Sequence, residues 1–302
     1  MLTGHFRPVS LALLAFILTT GPSAAVDIPD DYALRGATQA SDLEFPKEVS
    51  DIDFVSEPKM ALYKPKGDGP FPALVLFHQC GGLIGQESML EWARQGVKRG
   101  YVVLQIDALS QRGVRSLCKG PTKAKVYFSR GARDAFQAAA YMRALPYVDK
   151  RRVAISGFSW GGAVALLTAS GRTADKLELS ERYDAVASFY PPCHAFPSNG
   201  QPPYSNVTSG IDRPLLVLLG GKDTETPAEH CVASLELQKK SGASAQWHLY
   251  PETTHCWDCS HLDGRTKDGH WGLVTYTYDE GVTKDSAERV FEFFAKAFGA
   301  AK

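Results

Sequence analysis

Neither sign of charge is in excess in this chain: 33 Lys and Arg are matched by 33 Asp and Glu, for a formal net charge of zero. Without a basic surplus there is no general attraction for phosphate backbones, so neither a nucleic acid nor an anionic membrane surface is an expected partner. Internal repeats, heptads and low-complexity tracts are also lacking, which argues against a solenoid or a coiled coil. No Pro/Gly/Ser-rich linker divides the 302 residues, a length sufficient for one large domain with a substantial core. The N-terminal apolar run, Val9 to Leu18, falls short of the ~20 residues that a membrane-spanning helix needs.

That run has another use. In "MLTGHFRPVSLALLAFILTTGPSAAVD" an arginine precedes it, and Ser23 and Ala25 follow at the small-residue positions of a signal-peptidase site. The pattern predicts a leader over residues 1–25, cleaved after Ala25, and a secreted or periplasmic mature protein. No twin arginine precedes the run, which favours a Sec-type over a Tat-type signal. Residues 26–50 are polar and turn-rich and are expected as an arm on the surface of a single domain over 51–302. All six cysteines (Cys80, Cys118, Cys193, Cys231, Cys256 and Cys259) lie beyond the leader. An even number in an oxidising compartment favours disulfides, with about fifteen pairings open. "CWDC" has ligand-like spacing but no second Cys/His pair at finger spacing, so no metal site is expected.

After the arm, short apolar runs alternate with helical patterns. "DIDFVS" and "MALYK" alternate as half-exposed strands, whereas "FPALVLFH", "YVVLQID", "RRVAISG", "DAVASFY" and "RPLLVLLGG" read as buried strands, with "AQWHLYP" a further one. Between them "ESMLEWARQGVKRG", "GARDAFQAAAYMRALP", "GGAVALLTAS" and "PAEHCVASLELQKKSG" read as helices. The closing helix, "KDSAERVFEFFAKAFG", carries Val290, Phe291, Phe294 and Phe298 on one stripe. Strands buried on both faces and alternating with helices predict an α/β fold with a mostly parallel central sheet covered on both faces. In such a sheet chemistry belongs to the loops at the carboxyl ends of the strands.

Those loops carry the reactive residues. Gly157-Phe158-Ser159-Trp160-Gly161 is G-x-S-x-G between a predicted strand and a predicted helix, the setting of a nucleophile on a sharp turn. A serine needs a base, and the base needs an orienting acid. "KDTETP" offers Asp223 and Glu225 after one strand, and "ETTH" offers His255 after the next, in the order Ser, acid, His. Asp223 follows its strand at once and is the expected acid; His248 lies inside a strand pattern, and His261 and His270 lie farther along a polar loop. An oxyanion hole would use the backbone N–H of Trp160 and one from "HQCGGLIG", with Cys80 the first choice and Gln79 the second. Trp160, Phe158, Phe189, Tyr190 and Trp257 are candidates to line an apolar substrate pocket.

"LYKPKGDGPFPALVLFHQCGGL", "RVAISGFSWGG", "LLGGKDTETP" and "YPETTHCW" together resemble the dienelactone hydrolase family of α/β-hydrolases, from about Asp51 to Phe298. The resemblance implies Ser159 as nucleophile, Asp223 as acid, His255 as base and Gln79–Cys80 as the oxyanion loop. Acyl transfer by these residues implies no metal and no organic cofactor. Two positions differ: the namesake enzymes have cysteine where this chain has Ser159, and they bind a substrate carboxylate with arginines. Arg112 in "DALSQRGVRS" approximates one of those, and none follows His255 closely. Exported members of the family have cysteines in comparable loops, which implies the pairs Cys80–Cys118, Cys193–Cys231 and Cys256–Cys259. The expected activity is hydrolysis of a small or oligomeric carboxylic ester through an acyl-enzyme. A serine peptidase or other acyl hydrolase is the alternative within the fold, and a non-catalytic binding protein the alternative outside enzymology. Oligomeric state is not legible.

Overall fold

The computed structural model describes residues 1, 34, 42–119, 126–196 and 203–299. Apart from Met1, the leader lies outside the described residues, as does most of the arm. The strands are β1 (Val49–Ser50), β2 (Ala61–Tyr63), β3 (Phe71–Phe77), β4 (Val102–Ile106), β5 (Val148–Phe158), β6 (Ala185–Phe189), β7 (His194–Ala195), β8 (Tyr204–Ser205), β9 (Leu215–Gly220), β10 (Ala245–Tyr250), β11 (Thr266–Gly269) and β12 (Gly272–Thr275). The helices are α1 (Glu87–Lys98), α2 (Phe128–Ala144), α3 (Trp160–Thr168), α4 (Gly171–Lys176), α5 (Ala228–Lys240) and α6 (Glu280–Ala297). Eight strands form one sheet in the order β1-β2-β4-β3-β5-β6-β9-β10. Only β2 and β4 pair antiparallel within it.

The continuous apolar runs follow from burial on both faces. In β3, Ala73, Val75 and Phe77 point to one side and Leu74 and Leu76 to the other; in β9, Leu215, Val217 and Leu219 oppose Leu216 and Leu218. One side packs on α2, α3 and α5 through residues such as Ala135, Met142, Val164 and Leu235. The other packs on α1 and α6 through Met89, Trp92, Val290, Phe291 and Phe294. Each such aliphatic or aromatic side chain contributes about 1.5–3 kcal/mol by leaving water. Helix α3 is buried over its whole length, which is why it has no polar face.

Two expectations need correction at the first strands. The alternation in "DIDFVS" predicts a strand, but Ile52–Phe54 is a 3-10 turn. The Asp51 carboxylate accepts the Asp53 N–H, and this local bond outcompetes extended pairing. Val49 and Ser50, assigned to the arm, form the outer strand instead, paired parallel to β2. The hairpin β11–β12 and the short pair β7–β8 were not expected from the sequence.

Three disulfides tie loops at the carboxyl ends of the strands: Cys80–Cys118, Cys193–Cys231 and Cys256–Cys259. These are the pairs that the resemblance implies. Each of the first two closes a sequence separation of 38 residues, which in the chain-entropy picture is worth about 2–4 kcal/mol.

Candidate active site

Ser159, Asp223 and His255 arise from three different strand ends, β5, β9 and β10, and meet above the sheet. Ser159 stands at φ 51°, ψ −112°, a left-handed backbone that serine adopts only under constraint. Its N–H is held by the Phe189 carbonyl at 2.9 Å. Two glycines make this turn possible. A Cβ on Gly157 would lie 2.0 Å from the Gly161 carbonyl oxygen, and one on Gly161 would lie 2.4 Å from the Phe77 carbonyl oxygen.

His255 is buried, with Nε2 3.0 Å from Ser159 Oγ and Nδ1 2.7 Å from Asp223 Oδ2. The Asp223 carboxylate is anchored from below: Oδ1 accepts the N–H groups of Glu225 and Thr226, each at 2.8 Å. Thr226 Oγ1 lies 2.7 Å from Oδ2 and 3.1 Å from His255 Nδ1. An acceptor-only carboxylate at Nδ1 selects the Nδ1–H tautomer and leaves the Nε2 lone pair for the Ser159 hydroxyl. Burial opposes charging this ring, but the nearby carboxylates of Asp223 and Glu225 outweigh it and hold the pKa above the usual histidine value.

The loop after β3 is fixed from several sides. His78, fully buried, donates Nδ1–H to the Gln79 carbonyl at 2.6 Å and accepts the Ala108 N–H on Nε2 at 3.0 Å. Burial holds its pKa below the usual value, which suits this neutral role. The Gln79 carbonyl also accepts the Gly82 N–H. Because a trans peptide points its N–H opposite its C=O, these bonds aim the Cys80 N–H away from them. The Cys80 carbonyl accepts the Leu117 N–H at 2.7 Å, and its sulfur is bonded to Cys118. Among the described residues, neither Cys80 nor Trp160 donates its backbone N–H to a protein acceptor. His78 escaped the sequence reading, although a histidine ending the run "FPALVLFH" is a visible signal.

The aromatic residues expected to line a pocket do not reach an open surface. Phe158, Phe189, Tyr190 and Trp257 are each fully buried. Phe158 stacks on Phe189 at 4.5 Å and packs on Trp92 at 5.2 Å, on the α1 side of the sheet. Tyr190 presents its ring edge to His255 at 4.8 Å and donates its hydroxyl to Asp258 at 2.6 Å. Asp258 also accepts Trp92 Nε1–H at 2.8 Å. Burial pushes the Asp258 carboxyl above the usual aspartate range despite these donors. All four rings belong to the core on the α1 and α6 side of the sheet, and Tyr190 is the one that packs against His255. Trp160 is nearly buried too, against Phe77, His78 and Phe128.

Arg112 is likewise not free for a substrate carboxylate. Nε and Nη2 donate to Asp42, Nη1 and Nη2 to Asp134, and Nη1 to the Ala108 carbonyl, which uses all five N–H donors. The Arg112 side chain is 4% exposed and that of Asp134 0%, so its role is to bind the loop after β4 to α2. Asp134→Ala is expected to cost about 3–5 kcal/mol by leaving a buried cation short of its partner. Urea unfolding measures it, and a loss below about 1 kcal/mol would show the pair to be dispensable.

The competing histidines are elsewhere: His248 within β10, His261 in the 3-10 turn Ser260–Leu262, and His270 at the tip of the β11–β12 hairpin. The two sulfurs of "CWDC" are joined to each other, which commits them as a disulfide.

The sequence profile of the dienelactone hydrolase family matches residues 59–298. A Yersinia pestis protein named "Putative carboxymethylenebutenolidase" is 26% identical over 227 residues, covering 71% of this chain and 80% of that protein. A Thermogutta terrifontis esterase solved with butyrate superposes with a TM-score of 0.57 at 20% identity, covering 80% of this chain and 91% of the other. The same organism's esterase 2, phosphonylated by sarin, gives a TM-score of 0.58 at 19% identity over 86% and 99% of the two chains. At these identities the solved structures establish the shared α/β-hydrolase fold. With the family profile spanning almost the whole of the described fold, this chain belongs to the dienelactone hydrolase family.

Proposed function

We propose that this protein hydrolyses small carboxylic esters through an acyl-enzyme on Ser159, with His255 as the base and Asp223 as its orienting acid. The observation that carries the proposal is the continuous chain Ser159 Oγ–His255 Nε2 and His255 Nδ1–Asp223 Oδ2, at 3.0 and 2.7 Å, on a strained serine turn. Ser159 Oγ attacks the ester carbonyl while its proton passes to Nε2. The oxyanion is received by the N–H groups of Trp160 and Cys80, aimed by the α3 N-terminus and by the fixed Gln79–Cys80 peptide. Collapse breaks the bond to the alcohol, which leaves with the Nε2 proton. Water then adds to the acyl carbonyl, gives its proton to Nε2, and Ser159 departs with that proton.

The commitment of Arg112 to Asp134 and Asp42 favours esters that lack the carboxylate of a dienelactone. Three disulfides suit an oxidising compartment and so support an exported mature protein. Among the described residues no helix is long and apolar enough to cross a membrane.

The test is turnover of p-nitrophenyl acetate and butyrate, with acid-quenched protein digested to find the acyl group on the peptide containing Ser159. Cleavage of peptidyl p-nitroanilides but not esters would reassign it as a peptidase. Turnover of neither would leave a binding protein.

A further inference from the structure

A second acid stands beside the base, on the side that Asp223 does not occupy. Glu225 Oε2 lies 3.8 Å from His255 Nε2, the nitrogen that faces Ser159. Two residues of the β11–β12 hairpin region fix its place. Lys267 Nζ binds Oε1 at 2.7 Å, and the Tyr276 hydroxyl donates to Oε2 at 2.6 Å. The spacing has a consequence. At 3.8 Å the carboxylate is outside hydrogen-bond range but well within reach of Coulomb attraction in a site from which water is largely excluded. Were Oε2 free to close on Nε2, it would accept the imidazolium proton that the leaving alcohol needs. Instead the Tyr276 hydroxyl donates to that oxygen and Lys267 holds the other, which ties the carboxylate at 3.8 Å.

We propose that Glu225 is a charge-tuning positioning residue: tethered by Lys267 and Tyr276, it stabilises imidazolium at His255 without taking its proton. The inference rests on the acyl-transfer reading above, since it assigns a role to the same imidazole. The groups facing His255 are few. Asp223 and Glu225 favour its charged form, and Lys267 opposes it. Asp258 lies behind the ring and is itself pushed toward neutrality by burial. The phenols of Tyr190 and Tyr276, both near the ring, are pushed upward by burial and by adjacent carboxylates, so they stay neutral while His255 titrates. Burial acts to raise the Glu225 carboxyl, but His255, Lys267 and Tyr276 outweigh it, so Glu225 is anionic across the same range.

The signs follow. A carboxylate raises the imidazole pKa, so Glu225→Gln moves the acidic limb of kcat/KM to lower pH, by about one unit. Lys267→Met removes the cation that partly cancels Glu225 and moves the limb to higher pH. The plateau for Glu225→Gln falls about tenfold, because the imidazolium formed in the transition state loses a stabilising charge. Gln keeps an acceptor for Tyr276 and gives up only the ion pair with Lys267, whose uncompensated cation moves the imidazole in the same direction. The readout is the pH profile of p-nitrophenyl butyrate turnover, paired with the low-field proton resonance of His255 Nδ1–H in substrate-free protein. Opposite shifts in the two variants, by both readouts, support the proposal. Shifts of the same sign, or none with the fold intact, overturn it. If no ester is turned over, the acyl-transfer reading has failed, and the resonance still reports whether Glu225 tunes the ring.

Discussion

Replacing Ser159 with alanine is expected to lower kcat for p-nitrophenyl butyrate by about a millionfold. The expectation rests on a division of labour visible at the turn. In the proposed mechanism the carboxyl ends of β3 and β5 supply the backbone donors, and these survive the substitution. What disappears is the hydroxyl 3.0 Å from His255 Nε2, the group that the proposed mechanism uses to attack the carbonyl. A small residual rate from oxyanion stabilisation and proximity is the expected remainder. Stability should barely change, because the turn is imposed by the Gly157 and Gly161 contacts and by the Ser159 N–H bond to Phe189, none of which uses the hydroxyl. A variant retaining more than about a tenth of the activity would remove Ser159 from the chemistry.

Asp223→Asn should cost about 10⁴-fold in kcat with little loss of fold, and the geometry says why. The Glu225 and Thr226 N–H groups both donate to Asp223 Oδ1. Asparagine satisfies them only by placing its carbonyl oxygen there, which turns its NH₂ toward His255 Nδ1. That nitrogen must then accept, the proton moves to Nε2, and the lone pair that would receive the Ser159 proton is gone. Glu225 offers no rescue, because it stands on the Nε2 side of the ring. Steady-state kinetics at alkaline pH make the distinction: a wrong tautomer is not restored by raising pH, whereas a merely lowered histidine pKa would be harmless there.

Ser159, Asp223 and His255 were legible because each sits next to a backbone signal. Ser159 is announced by flanking glycines, and Asp223 and His255 each follow a continuous apolar run. The sheet was legible for the same reason, since strands buried on both faces have few polar interruptions. The immediate surroundings were not. Arg112 looks like a free cation in sequence, but its partners Asp42 and Asp134 are 70 and 22 positions away. Phe158 and Tyr190 flank the catalytic loops in sequence, yet strand alternation turns Phe158 toward α1, and the Asp258 carboxyl holds Tyr190 inward. The β11–β12 hairpin escaped because its four-residue strands are mostly exposed and carry no clear alternation, with Gly269 and Gly272 at its turn. It nevertheless delivers Lys267, and Tyr276 just beyond it, to Glu225. Glu225 itself was visible as a rival to Asp223 for one role; only the geometry separates them onto opposite nitrogens of one imidazole.

The central claim, that Ser159 is a nucleophile activated by His255, is tested most directly by treating the mature protein with a fluorophosphonate and locating the adduct by peptide mass spectrometry. One adduct per chain on Ser159, abolished in the His255→Ala variant, is the predicted result. No adduct, an adduct on another residue, or undiminished labelling without His255 would contradict it.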